Sequence, residues 1–234
     1  MISNPPVEPT GARSNHDTWV IIPLYNEATV IGGVILDLLT AFPNVVCIDD
    51  GSHDNSGRIA QNAGAQVVTH PINLGQGAAL QTGFEFALER DARYVVTFDA
   101  DGQHRVVDAA EMIERARNEN LAIVYGSRFL DDRTNPGILK RIVLKTAVWV
   151  TNVLTRTRLT DAHNGLRVIR EDAIRGIKLR QDRMAHGTEI VVQLGKTKLP
   201  YAEHPVKVLY TDYSKAKGQS LLNSVNILVD LFIR

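Results

Sequence analysis

The sequence predicts an α/β fold, a Rossmann-like and mostly parallel central sheet flanked by helices. Three observations predict it. Short runs rich in Val, Ile and aromatic residues alternate with helical segments of about 10–15 residues, the signature of strand–helix–strand crossovers. The runs IIPL, VVCI, VVTF and AIVY are almost continuously apolar, as strands covered on both faces are. Each run then gives way to small, polar or acidic residues. Reactive groups therefore gather along one edge, where open parallel sheets bind ligands.

Taken in order, the predicted strand 18–23 leads to a helix over 28–41, with Asn26 as its N-cap and Glu27 in its first turn. Strand 44–49 is followed by helix 55–63, strand 66–70 by helix 76–90, and strand 93–98 by helix 106–118. A fifth strand covers 121–125. The remainder is less regular: a long helix over 138–155, a strand at 166–170, a short helix at 171–176, a helix at 188–195, a strand at 202–210 and a last helix at 220–233. Residues 1–17, with three prolines and no apolar run, read as a flexible leader and not as a signal peptide. Residues 18–130 and 131–234 read as two halves of one domain.

The chain has 234 residues, 44% of them apolar, enough for a sizeable core. Its net charge is zero, which argues against nucleic acid as a partner, but the charge is unevenly placed. Residues 1–130 carry 16 acidic and 8 basic side chains, and residues 131–234 carry 10 and 18, so the basic second half is the one suited to an anionic partner. The single cysteine, Cys47, lies in an apolar run and reads as a core thiol. No window reaches the roughly 18 apolar residues of a membrane span. The expected location is cytoplasmic, with peripheral contact at the inner membrane face.

The fourth strand ends in Asp99-Ala100-Asp101, with Gln103 and His104 close behind. If the strand continues, both carboxylates point to one side and repel, and a cation is the natural third party. Mg²⁺ or Mn²⁺ suits such a site, since these hard ions accept one or two carboxylates, waters and substrate phosphates. Alone, the same residues also make a strand end and a helix cap. Asp49-Asp50-Gly51-Ser52 reads either as a turn or as a carboxylate that meets a nucleobase or ribose. Asn73-Leu74-Gly75-Gln76-Gly77 opens a helix, and its glycines let the backbone approach an anion there.

Together P-L-Y-N-E, D-D-G-S, N-L-G-Q-G-A-A-L, D-A-D-G-Q-H and G-S-R-F occur in one order, followed by T-D-A-H-N-G-L-R-V-I-R and H-P-V-K-V-L-Y-T-D-Y-S-K-A-K-G-Q-S. The ensemble resembles the inverting family 2 glycosyltransferases of the GT-A fold, in the branch similar to dolichyl-phosphate mannose synthase. It covers nearly the whole chain from about residue 18. The resemblance implies that Pro23, Tyr25, Glu27 and Asp50 line the nucleoside pocket, with Gly75 also in the cofactor-binding set. It implies that Asp99, Ala100 and Asp101 meet the ribose and diphosphate, and that Asp101 and Gln103 hold Mg²⁺ or Mn²⁺. Arg128 is expected near the phosphates or the acceptor. Asp101, Arg128 and Glu189 form the expected catalytic set. The donor is then a nucleoside-diphosphate sugar, and the acceptor a polyprenyl phosphate or a lipid-linked or cell-surface glycan. A sugar-nucleotide pyrophosphorylase would want a Gly-, Arg- and Lys-bearing loop where P-L-Y-N-E stands. A non-catalytic nucleotide-binding scaffold is the other alternative.

In the second half, Lys140, Arg141 and Lys145 lie among apolar residues and Trp149. They fit a membrane-surface helix holding a lipid phosphate, or an ordinary packed helix with its cations outward. Glu189 is a base for a hydroxyl acceptor or a helix-start charge. His163 and His186 are candidate contacts to acceptor or phosphate. Arg167 binds an anion or pairs with Asp161. Lys215 and Lys217 fall in a basic loop suited to closing over donor. The expected assembly is a homodimer through the C-terminal elements.

Overall fold

Each apolar run forms a strand in the computed structural model, which describes residues 15–130, 152, 158–162, 164–180 and 186–209. Apart from Asn152, the predicted helices at 138–155 and 220–233, and the residues Lys140, Arg141, Lys145, Trp149, His163, Lys215 and Lys217, lie outside the described residues. The strands are β1 (Thr18–Leu24), β2 (Asn44–Asp49), β3 (Gln66–Thr69), β4 (Tyr94–Thr97), β5 (Ile123–Ser127), β6 (Arg167–Arg170) and β7 (Tyr201–Pro205). The helices are α1 (Ile31–Leu39), α2 (Ser56–Asn62), α3 (Gln76–Leu88), α4 (Val106–Asn118), α5 (Glu171–Arg175) and α6 (His186–Lys196).

Among the described residues the sheet runs β3-β2-β1-β4-β6-β5-β7. β1 pairs in parallel with β2 and β4, β2 with β3, and β5 with β7. Only β6 is antiparallel, inserted between β4 and β5. Alternation along each strand feeds two cores. Val20, Ile22, Cys47, Val96 and Val168 face one side with Ile31, Ile35 and Leu38 of α1 and Met112 and Ile113 of α4. Trp19, Ile21, Val46, Val95 and Ile169 face the other with Leu80 and Phe84 of α3 and Ile190 and Leu194 of α6. Burial first, and the Asp49 charge second, hold the Cys47 thiol far above its usual range, so it stays an inert core group.

The chain winds outward from β1 through β2 to β3, then returns to lay β4 on the other side of β1. This reversal opens a crevice beyond the carboxyl ends of β1 and β4, where doubly wound sheets bind ligands. The P-L-Y-N-E and D-A-D segments leave the sheet at that point.

Two local expectations are corrected. The first helix begins at Ile31, not at residue 28, and Asn26 does not cap it. Asn26 adopts φ 54°, which turns its side chain to the loop after β2. The last described strand ends at Pro205 and not at 210: Val206 N still donates to Ser127 O of β5, but Lys207 N turns to the Asp108 carboxylate and Leu209 N to Gln103 O.

Candidate active site

A cleft of about 350 Å³ lies at the crevice. Pro23, Leu24, Tyr25, Glu27, Asp50, Asn73, Gly75, Gln76, Ala79, Asp99, Ala100 and Asp101 line it. The structure thus brings together all eight residues expected in the nucleotide pocket.

The loops after β1 and β2 are tied to each other side chain to backbone. Asn26 N donates to Ser52 Oγ at 3.0 Å, Glu27 N to Ser56 Oγ at 2.7 Å, and Ala28 N to Asp54 Oδ2 at 3.2 Å. In return His53 N donates to Asn26 Oδ1 at 2.9 Å. Short hydroxyl and carboxyl side chains after β2 therefore satisfy the amides of a loop that has no ladder of its own. This explains D-D-G-S-H-D-N-S as a framework for Glu27, which is buried at the cleft wall.

Asp50 is buried and heavily bonded. Its Oδ1 accepts from His70 Nδ1 at 2.8 Å and Leu74 N at 2.9 Å, and its Oδ2 accepts from Gly75 N at 2.7 Å. Gly75 has φ 97°, a conformation only glycine adopts without strain. The Leu74 and Gly75 amides are thus turned inward to Asp50, not outward to an anion as the glycine-rich loop implied.

The D-A-D segment differs from the expected geometry. β4 stops at Thr97, and Asp99–Asp101 forms a turn closed by Gly102, so the two carboxylates do not share a strand face. Asp99 Oδ2 accepts from His104 Nε2 at 2.9 Å, and Gln76 Nε2 reaches Oδ1 at 3.4 Å. Burial works to raise the Asp99 pKa. The His104 hydrogen bond and the charges of His104, Arg167 and His186 outweigh it, and the carboxyl is held below its ordinary range. Asp101 moves the other way. Burial first, then the charges of Asp99 and Glu27, raise it, against the Gln103 amide that bonds it at 3.0 Å. Gln103 Nε2 also donates to Asp101 Oδ2 at 2.8 Å.

This corner fits a divalent cation. Asp101 stands in the field of two other carboxylates, and among the described residues no cationic side chain is bonded to it. Among the described residues no group of three or more His, Cys, Asp and Glu is arranged to hold a metal by itself. Asp101 with Gln103 is a sparse protein ligand set, of the kind that hard ions complete with phosphates and waters.

The other expected residues lie apart from the cleft lining. Arg128 meets Asp161 side-on, Nε to Oδ2 at 2.6 Å and Nη2 to Oδ1 at 2.9 Å. Arg128 therefore bonds Asp161 directly, and Arg167 interacts with Asp161 through its electrostatic field. Arg167 is 3% exposed in β6, and among the described residues its Nε has no hydrogen-bond partner. Burial holds the Arg167 pKa below its usual value, against Tyr125, Asp99 and Asp161. Glu189 sits in the first turn of α6, accepting from Arg180 N at 3.1 and 3.0 Å and from Gln193 Nε2 at 3.0 Å. His186 is buried and lies within the electrostatic reach of Asp99.

Sequence reasoning missed His70, His104 and Gly165 as parts of this site. Thr97 Oγ1 bonds Gly165 O at 2.6 Å, which draws Gly165 so close that a β-carbon there would lie 2.2 Å from Asp99 Oδ2. His104 carried a signal, its place three residues beyond Asp101. His70 and Gly165 act through contacts 20 and 66 residues away in the chain, which no local pattern encodes.

The family described as Glycosyl transferase family 2 matches residues 19–177. The chain is 32% identical over 223 residues to an uncharacterised protein of Methanocaldococcus jannaschii, covering 93% of this chain and 92% of that one. It is 31% identical over 237 residues to the UDP-N-acetylglucosamine–dolichyl-phosphate N-acetylglucosaminyltransferase of Methanococcus voltae, covering 92% and 94%. It is 29% identical over 182 residues to the polyprenol monophosphomannose synthase of Mycolicibacterium smegmatis, covering 74% and 68%. Among solved structures, glucosyl-3-phosphoglycerate synthase from Mycobacterium tuberculosis, in complex with Mn²⁺, uridine diphosphate and phosphoglyceric acid, superposes with a TM-score of 0.68. The identity is 15%, over 94% of this chain and 78% of that one.

Proposed function

The chain belongs to glycosyltransferase family 2 and has the GT-A fold, and from that premise we propose that it moves a sugar from a nucleoside diphosphate to a polyprenyl phosphate, with inversion and with a divalent cation. The observation that carries the reading is the cleft at the β1/β4 crossing, where Pro23, Tyr25, Glu27, Asp50, Gly75, Asp99, Ala100 and Asp101 converge. The names of the Methanococcus and Mycolicibacterium relatives support a polyprenyl-type phosphate as acceptor.

Asp50 and Glu27 bind the nucleoside, between the β1 and β3 loops. Asp99, fixed by His104, positions the ribose and diphosphate. Asp101 and Gln103 hold Mg²⁺ or Mn²⁺, which when bound supplies counter-charge to the departing diphosphate. The bond between the anomeric carbon and the diphosphate oxygen breaks as an acceptor phosphate oxygen bonds the opposite face of that carbon. The nucleophile is already anionic, so the step needs cationic positioning more than a general base. Arg128, oriented side-on by Asp161, is the cation assigned to the phosphates. No helix among the described residues is long and apolar enough to cross a membrane. The proposed site of action is the cytoplasmic membrane surface, where the lipid presents its phosphate.

The test is a donor screen with purified protein, Mn²⁺ or Mg²⁺ and polyprenyl phosphate, followed by product analysis. Thermal stability with UDP, GDP and dTDP is read in parallel, since a ligand of the folded state raises it. A metal-dependent rise and a glycosylated lipid phosphate are expected. No metal-dependent rise with any of the nucleotides would sink the proposal.

A further inference from the structure

We propose that His70 is a positioning residue for the donor, acting through Asp50 to leave one carboxylate lone pair for a ring N–H of the nucleobase. The inference rests on the donor reading above and deepens it.

A carboxylate offers about four acceptor positions. In Asp50 three are taken by protein donors: His70 Nδ1 and Leu74 N on Oδ1, and Gly75 N on Oδ2. The position left is on Oδ2, and Asp50 lines the cleft. His70 is itself held at its far nitrogen, where Nε2 lies 3.0 Å from Thr82 Oγ1 in α3. The imidazole is 8% exposed and therefore packed in place. A line of contacts thus runs from α3 through His70 to Asp50, and from Asp50 to the loop that opens α3. Asp50 cannot rotate without breaking bonds on three sides.

The consequence is a choice of base. A fixed carboxylate only accepts, so it favours a base that presents a ring N–H there, as uracil, thymine and guanine do. Cytosine and adenine present a ring lone pair and leave the buried acceptor unmet, the kind of mismatch that discriminates strongly. Without His70, Asp50 gains rotational freedom and Leu74–Gly75 loses its anchor. The protein would then bind nucleotide more weakly and choose less sharply.

The experiment measures dissociation constants for UDP, GDP, dTDP, CDP and ADP with Mn²⁺ by calorimetry, for the unaltered protein and for His70→Asn, His70→Phe and Thr82→Val. Melting of each nucleotide-free protein is recorded alongside. Asn places an amide near the Nδ1 position and should keep both affinity and preference. His70→Phe should weaken the preferred nucleotide about tenfold and narrow its preference over CDP by a similar factor, while kcat at saturating donor changes little. Thr82→Val should move in the same direction by a smaller factor, and decides the matter if His70→Phe does not fold. Unaltered affinity and preference in His70→Phe, or in Thr82→Val where His70→Phe does not fold, would overturn the role of His70 alone. So would a lower melting temperature with no change in preference. Absence of any nucleotide binding by the unaltered protein would overturn the donor reading with it.

Discussion

Carboxylates in the cleft and those beside β5 and β6 differ in what surrounds them. On the donor side Asp50 is held by a histidine and two backbone amides, and Asp101 by the backbone and side-chain amides of Gln103. On the β5–β6 side, Asp161 is met by a guanidinium in two-point contact, with Arg167 in electrostatic reach. Neutral amides orient a carboxylate without cancelling its charge, whereas arginine does both. The donor side therefore keeps a negative field that burial makes costly, and it shows in the raised pKa of Asp101. It is completed by a cation and the diphosphate that comes with it. On the other side the Asp161 charge is already met within the protein.

Asp101 gives the largest effect. Asp101→Ala should abolish metal-dependent stabilisation by nucleotide and lower transfer on the order of 10³-fold. Asp101→Asn should fail in the same way yet melt higher than the unaltered protein when metal is absent. The sign follows from the raised pKa. Such a group stabilises the fold below its unfolded pKa, and that contribution is lost as pH rises through the folded one. The gain from Asn therefore grows from mildly acidic to neutral pH and vanishes in acid. Melting curves from pH 4 to 8 check it, and a lower melting point for Asn at neutral pH would break the contrast.

The coupling between the two sides is tested by Gly165→Ala. The added methyl would displace Asp99 from His104, since Asp99 Oδ1 and Oδ2 lie 2.8 and 2.2 Å from the β-carbon position. A loss of transfer on the order of 10²-fold is expected, carried by donor KM and kcat together, with only a modest change in melting. Activity within about twofold would show that Asp99 need not be fixed.

Asp161→Asn should do the reverse of Asp101→Asn. Asp161 is 2% exposed, and removing its charge leaves Arg128 without its two-point ionic partner. A destabilisation of about 3–5 kcal/mol follows from breaking one half of such a buried pair. That lowers the melting temperature by several degrees in a chain of this size. Two Asp→Asn changes of opposite sign, measured in one metal-free buffer, would distinguish an incomplete electrostatic site from a complete one.

These contrasts also mark what the sequence made legible. Strand existence and the side of the sheet that carries the chemistry follow from local pattern, because each strand end brings its own loop to the crevice, and the cleft lining from Pro23 to Asp101 was implied by the family resemblance of those loops. The direction and insertion of β6 were not legible, since R-V-I-R reads alike whichever way it pairs. Nor was the inward turn of the Leu74 and Gly75 amides, which depends on Asp50 lying across the sheet from them. Asn26 looked like a cap because its type is common there, but a partner at His53 claims it first.

Glu189→Gln carries the smallest expected effect and the sharpest reading of the acceptor. The Glu189 carboxylate takes the Arg180 amide on both oxygens and Gln193 Nε2 on one. A glutamine keeps one acceptor oxygen there and so much of the local structure. If the acceptor is a phosphate, no proton is removed in the transfer, and kcat should stay within about threefold. A general base contributes ~10²–10⁴-fold, so a loss of that size with KM unchanged would mean that a hydroxyl attacks. Glu189 would then have to leave Arg180 and reach the acceptor, and the β5–β6 side would be no more self-contained than the donor side.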